Sequence, residues 1–414
     1  MAVENRLRYN RQRQKEIPTE TVMTAIKARH YGTGTGYEVI LQDGEISALS
    51  YLFTGGDDCP YVAPGLVDVQ VNGYGGQEFN DPQLTTDKVR QVALAMDQDG
   101  VVEFCPTFTT AAYELLFHSI STVAEAIESD ADVARRCQSL HLEGPYISPE
   151  DGPRGAHPLE HVRPPCWDEF QKLQEAAGGR IRILTLSPEY DGSAEFIGKA
   201  VDSGVLVAIG HTSADSGQIQ AAVDAGAGMS THLGNGAHGT IRRHPNYLWD
   251  QIAEDRLVCS LIADGHHLPP SVVKTIVRAK TVERCVLVSD ITGMGGMPPG
   301  VYDSSAGLGQ VEVLEDGRLV VPGQRQLLAG AALPIGVGIV KAIEYAGLSL
   351  ESAVNMASLG PARLLNYRLP KLEVGAKADL VFFEIVDGRF EVVATVNSGE
   401  VVYHRGDAEE SPQP

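Results

Sequence analysis

The sequence predicts an α/β protein, a (β/α)8 TIM barrel carrying a small β-sandwich domain formed by both chain termini. Three observations predict it. Short continuous apolar runs recur eight times with amphipathic segments in the gaps, the alternation of a parallel sheet covered on both faces. In those runs the polar or reactive residue stands at or just past the carboxyl end, the face on which such barrels carry their sites. Both ends of the chain read instead as β runs separated by tight turns.

Taken in order, residues 1–20 (MAVENRLRYNRQRQKEIPTE) are polar and read as a flexible tail. EVILQDGEISAL then places an Asp-Gly turn between two apolar runs, a hairpin signal. The barrel strands are expected in GLVDVQVNG, VVEFCPTFT, SLHLEGPY, IRILTLSP, VLVAIGHT, GMSTHLGN, VCSLIADG and VLVSDITG, with helical segments such as DKVRQVALAMDQ and AEFIGKAVDS between them. KADLVFFEIVDGRFEVVATVNSGEVVY closes the chain as β runs broken by Asp-Gly and Ser-Gly. The expected division is residues 21–62 plus 368–414 for the small domain and 63–367 for the barrel. The glycine-rich stretches Gly32 to Gly36 and Gly293 to Gly300 lack the strand, spacing and lysine of a nucleotide-binding loop. Both read as flexible connections, the second a candidate mobile lid.

With 414 residues and 43% hydrophobic content, the chain is long enough to bury a large core. A formal charge of −21 argues against nucleic acid or an anionic membrane as partner, since either needs a basic face. The six cysteines are scattered with no Cys-x-x-Cys pair, against both a disulfide framework and a thiolate zinc site. No apolar run approaches membrane length and the first residues form no signal-peptide core, so a cytoplasmic enzyme is expected.

One carboxylate stands out. Glu143 sits inside the apolar run SLHLEGPYIS, where burial is costly unless a cation or hydrogen bonds receive the charge. Glu143, His211 and His232, at the ends of the third, fifth and sixth runs, form a set able to hold a catalytic divalent ion with one position open to water. Singly, each has a plainer reading: an ion-paired glutamate, or a histidine satisfied in the core. Their meeting on one barrel face favours the metal. Asp290, at the end of the eighth run, is placed to accept a proton from a metal-activated water and return it to a leaving group. Its plainer reading is an aspartate that caps a helix. The same face gathers Gln70, Asn72, Thr107, Thr109, Asp264, His266 and His267.

HLEGPYIS with GAHP after it, GHTSA, THLGNGAH, IADGHHL, LVSDITGMGG, SLGPARLLN and VGAKADLVF, in that order, resemble the amidohydrolase superfamily and, within it, the N-acetylglucosamine-6-phosphate deacetylase family. The resemblance spans roughly residues 35 to 405. It implies a metal-dependent hydrolase of a linear amide bond, dimeric, using one divalent ion: zinc, with iron, manganese or cobalt as alternatives. Carried over, the metal ligands fall on Glu143, His211 and His232 and the catalytic acid/base on Asp290. His157, beside Ala156, matches the residue that polarises the acetyl carbonyl. Asn235 and Gly236 match the sugar pocket, His267 the phosphate end, and Arg243 a phosphate-binding arginine lent by the partner subunit. Leu328, Ala329 and Gly330 match a further substrate loop.

Two departures bear on specificity. Where most of the superfamily ends the first strand with His-x-His and holds a second metal, this chain reads Gln70-Val71-Asn72, so a single metal is expected, with both amides serving as water or metal-site support. The segment THLGNGAHGTIRRHPN replaces the family's aromatic by Gly234 and crowds the loop with His238, Arg242, Arg243 and His244. Those arginines could form the cation cluster an anionic sugar needs, or pair with acidic neighbours on the surface. Two other readings stay open: another N-acyl sugar or a cyclic amide as substrate, and a non-catalytic sugar-binding barrel.

Overall fold

The computed structural model describes residues 24–52, 58–304 and 309–408. The expected tail, residues 1–20, lies outside them.

Eight parallel strands pair strictly in sequence order: Leu66–Val71, Val101–Thr109, Leu140–Glu143, Ile181–Leu186, Leu206–Ile209, Met229–Ser230, Val258–Leu261 and Cys285–Leu287. They coincide with the eight apolar runs. A helix follows each of the first seven strands, from Thr86–Ala95 after the first to Pro270–Lys280 after the seventh. After the eighth, Ile335–Ala346 takes that place.

The seam between the first and last strands is the thinnest part of the barrel. It is joined by one parallel bridge, Val71 to Ile291, and by the Asn72 amide donating to the Ile291 carbonyl at 2.7 Å. Asp68 reinforces it: this buried carboxylate accepts from the Ser289 amide at 3.2 Å. Burial pushes the Asp68 carboxyl up to about 7.

Small and medium apolar side chains, among them Val67, Val69, Cys105, Ala208, Met229 and Val288, fill the barrel interior. The larger apolar layer lies between strands and helices. Across the interior runs a hydrogen-bonded row. His141 bonds the Val69 carbonyl at 3.0 Å and the Thr185 hydroxyl at 2.7 Å, and Thr185 meets the Thr231 hydroxyl at 2.7 Å. Burial lowers the His141 pKa to about 4, so the row is uncharged.

Both ends of the chain supply the small domain. Its seven strands form one sheet in the order Glu400–His404, Arg389–Asn397, Leu380–Val386, Tyr61–Pro64, Thr24–His30, Gly36–Gln42 and Glu45–Tyr51. The two hairpin signals at Asp43-Gly44 and Asp387-Gly388 fall on turns of this sheet. The sandwich character comes from one sheet rather than two: a bridge from Glu45 to Lys377 and the Ile46 amide on the Ala376 carbonyl bring its far edge over its own core. Val39, Ile46, Leu380 and Phe382 share that core.

A second antiparallel sheet interrupts the chain after the eighth barrel strand, with strands Gly300–Ser304, Gly309–Val313, Leu319–Val321 and Gln324–Leu328. The sequence reading contains no such insertion. The glycine-rich segment before it is also not the loose connection expected. The Gly76 amide bonds the Gly293 carbonyl at 2.7 Å and the Gly75 amide the Gly295 carbonyl at 2.8 Å, which fastens the segment to the first βα loop. The Gly32 to Gly36 stretch is likewise hydrogen-bonded, His30 to Thr35 and Gly34 to His30. Among the described residues no disulfide joins the cysteines. Among the described residues no helix is long and apolar enough to cross a membrane.

Candidate active site and metal centre

Glu143 closes the third strand, and the two histidines lie just past the fifth and sixth. Its Oε1 stands 3.1 Å from His211 Nε2 and 2.9 Å from His232 Nε2, and the two nitrogens are 3.0 Å apart. All three are buried. The backbone that aims them is unusual: His211, His232 and Asp290 all have positive φ, at 49°, 29° and 53°. Such conformations cost on the order of 1 kcal/mol each and persist where neighbours impose them. Here the Ser148 amide bonds the His211 carbonyl at 2.9 Å and the His232 amide bonds Ser260 Oγ at 2.7 Å.

The proton positions follow from the partners. His211 Nδ1 faces the Pro153 carbonyl at 2.8 Å. A carbonyl only accepts, so Nδ1 carries the proton and Nε2 presents its lone pair to the centre. Gly236 makes this placement feasible: at φ +55°, a Cβ there would lie 2.7 Å from His211 Nδ1. Gly234 is similarly constrained, at φ +102° with Leu268 2.9 Å from its would-be Cβ, which accounts for the missing aromatic.

This donor set fits a divalent metal. Burial opposes ionisation of Glu143, but the His211 and His232 rings against its Oε1 overcome it and hold the carboxyl well below its usual range. One anionic oxygen facing two imidazole nitrogens within about 3 Å is the donor arrangement of a metal-ligand set. His232 Nδ1 and both amide atoms of Gln70 are buried without a partner among the described residues.

His157 also offers an atom within 4.8 Å of ligand atoms from Glu143 and His211, and its ring lies 4.4 Å from that of His211. Its own hydrogen bonds give it another part. The Thr110 backbone N–H donates to His157 Nδ1 at 3.3 Å, and the Thr110 hydroxyl lies 2.8 Å from the same atom. With Nδ1 accepting, the proton of the neutral ring sits on Nε2. Burial and the neighbouring His211 hold the His157 pKa down to about 3, so the ring is a neutral donor.

Asp290 stands across the mouth, half-buried, with Oδ1 accepting from Asn72 Nδ2 at 2.7 Å. Burial and the Glu143 charge raise its pKa to about 6. A carboxyl so tuned exchanges protons readily near neutral pH.

Of the other expected residues, Asn235 folds back on the His232 carbonyl at 3.2 Å, and Ala156 is exposed beside His157. Leu328, Ala329 and Gly330 lead into Ala331, which bridges Ile291 next to Asp290. His267 bonds Asp264 Oδ2 through Nδ1 at 2.6 Å, and its charge is felt at Asp290. Arg243 is not drawn into this set. It is exposed, and neither it nor Arg242 pairs with a carboxylate among the described residues. Thr110, Pro153 and Ser260 went unrecognised in the sequence, since a hydroxyl or carbonyl that orients a distant histidine leaves no spacing signal.

The chain matches the family model described as the amidohydrolase family over residues 61–402. It is 36% identical over 355 residues to the Homo sapiens N-acetylglucosamine-6-phosphate deacetylase, covering 83% of each chain. It is 30% identical over 364 residues to the Escherichia coli O157:H7 N-acetylgalactosamine-6-phosphate deacetylase, covering 86% of this chain and 94% of that one. A mutant of N-acetyl-D-glucosamine-6-phosphate deacetylase from Mycobacterium smegmatis, solved in complex with N-acetyl-D-glucosamine-6-phosphate, superposes with a TM-score of 0.81 at 28% identity. That match covers 92% of this chain and 99% of the other. Matching in family model, in sequence over more than four-fifths of its length and in fold, the chain belongs to the amidohydrolase family and, within it, to the N-acetylglucosamine-6-phosphate deacetylases.

Proposed function

We propose that the protein hydrolyses the acetamide of N-acetylglucosamine-6-phosphate to glucosamine-6-phosphate and acetate. The observation that carries this reading is the convergence of Glu143, His211 and His232 opposite a carboxyl poised near neutrality, with a neutral imidazole donor alongside. Glu143, His211 and His232 would hold one divalent ion, zinc or else iron, manganese or cobalt. Such an ion supplies Lewis acidity and lowers the pKa of water towards neutrality.

The remaining work falls to the protein. His157 Nε2 donates to the acetyl carbonyl oxygen, where negative charge develops. Asp290, held by Asn72, takes the proton of the attacking water, then delivers it to the sugar nitrogen as the C–N bond breaks. Gln70 and Asn72, neutral where many relatives of the superfamily place imidazoles, favour one ion rather than two. The Leu328 to Gly330 segment, Ala156, Asn235 and Gly236 would line the sugar. His267 and, from a partner subunit in a homodimer, Arg243 would meet the phosphate. Both Arg242 and Arg243 are exposed and without an ion pair among the described residues, which supports a role towards a ligand or a second copy. Six cysteines with no disulfide among the described residues suit a reducing compartment such as the cytoplasm.

A second reading takes the C4 epimer as substrate, favoured by the likeness to a galactosamine-type deacetylase. Acetate release by the metal-loaded protein tests both, with the two phosphorylated epimers assayed beside free N-acetylglucosamine. Preference for the phosphorylated gluco sugar is expected. Turnover of the galacto epimer alone would replace the substrate, and no acetate from any of the three would overturn the reading.

A further inference from the structure

The segment after the seventh strand contains a small polar unit whose aspartate, Asp264, has no part in the reading above. Asp264 is almost wholly buried, and the partners of its carboxylate among the described residues belong to the segment that follows it. Its Oδ1 accepts the backbone amides of His266 and His267 at 2.8 and 2.9 Å, which curls the segment tightly around the carboxylate. Its Oδ2 meets His267 Nδ1 at 2.6 Å, a short charge-assisted bond between side chains exposed by only 9% and 11%. His266 faces the other way, its Nε2 bonded to the Asp316 carbonyl at 2.9 Å in a turn of the inserted sheet. The segment is thus pinned at two points.

With Nδ1 committed to Asp264, only Nε2 of His267 is left to meet a ligand. An imidazole that takes up a proton at Nε2 becomes a donor there without leaving its carboxylate. Both hydrogen bonds and the tight turn fix the direction of that donor, which a histidine on a free loop would not have. His267 also stands close enough to Asp290 for its charge to act on that carboxyl, so the unit belongs to the same mouth.

We propose that Asp264 is the positioning residue that presents His267 Nε2 to the anionic end of the substrate, and so sets the preference for a phosphorylated over a free sugar. This rests on the phosphorylated-sugar reading above. The aspartate does not touch the substrate. It acts through His267, as carboxylates that orient a histidine do elsewhere in proteins.

The test is the selectivity ratio, kcat/KM for N-acetylglucosamine-6-phosphate over that for free N-acetylglucosamine, in wild type, Asp264→Asn, His267→Gln and the double variant. Asp264→Asn is expected to reduce the ratio about tenfold, through KM for the phosphorylated sugar rather than kcat. His267→Gln is expected to do at least as much, and the double variant no more than His267→Gln alone. An unchanged ratio in Asp264→Asn, or additive losses in the double variant, would overturn the inference. A wild-type ratio near one would instead sink the phosphorylated-sugar reading beneath it. If Asp264→Asn does not fold, nitrogen NMR of histidine-labelled wild-type protein decides: a protonated Nδ1 on His267 is expected, and an unprotonated one overturns the arrangement.

Discussion

On one side of the barrel mouth, Glu143, His211 and His232 are buried; on the other, the loop from Gly234 to His244 carries Arg242, Arg243 and His244 out into solvent. The first side has its angles set by backbone: positive φ at both histidines, a carbonyl on His211 Nδ1, a serine on the His232 amide. The second is braced through backbone and neighbours rather than through its cations: His238 bonds Glu150 Oε2 at 3.0 Å and Tyr247 Oη at 3.0 Å, and Asn246 Nδ2 donates to the Arg242 carbonyl at 2.9 Å. The difference teaches where chemistry and specificity are separated in this molecule. On the proposed reading a rigid, desolvated cup would perform the bond cleavage, and an exposed cationic loop could vary in sequence without disturbing it.

The largest expected effect lies on the rigid side. Asp290→Asn should lower kcat by about 10³-fold or more while metal content stays at the wild-type level. Loss of metal in that variant would show that Asp290 belongs to the cup and not to proton transfer. His157→Gln should cost about 10²-fold in kcat with little change in KM, as removal of one carbonyl donor does. A rise in KM alone would make His157 a binding group instead.

The loop should answer differently. Arg243→Ala is expected to raise KM for the phosphorylated sugar about tenfold and leave kcat in place. A fall in kcat would erase the division drawn here. A smaller loss, on the order of fivefold to tenfold in kcat, is expected for Thr110→Val, which removes the hydroxyl that holds the His157 ring. Wild-type activity in that variant would mean that the backbone amide of residue 110 suffices.

The pH profile should show the smallest change. Asp290 must be ionised to accept a proton, and its carboxyl is raised to about 6 by burial and Glu143. Activity should therefore fall as pH drops through that region. A cation in the cup would favour the ionised form, placing the acidic limb of kcat/KM no higher than about pH 6. A limb well above 7 would assign it to another group.

Much of the rigid side was legible in the sequence because each part left a local mark. Eight apolar runs with polar ends expose the barrel, and a glutamate inside the apolar run Leu140 to Ile147 calls for a counter-charge. The Asp-Gly turns likewise expose the hairpins of the small sheet. What was not legible depends on contacts across the chain. Thr110 holds a ring 47 positions away, and Asp68 closes a seam 221 positions away at Ser289. The inserted sheet escaped notice because Gly300–Ser304 and Gln324–Leu328 are short and largely polar, without the alternation of a half-buried strand. The glycines from 293 to 296 read as slack, but serve close packing against the first βα loop.

The central claim is that one carboxylate and two imidazoles hold a single ion. Metal analysis of the purified protein, dialysed against trace-metal buffer beside its Glu143→Gln and His211→Asn variants, tests it most directly. The account predicts one divalent ion per chain in the wild type and its loss in both variants. Two ions per chain, or full retention of the ion in either variant, would contradict it.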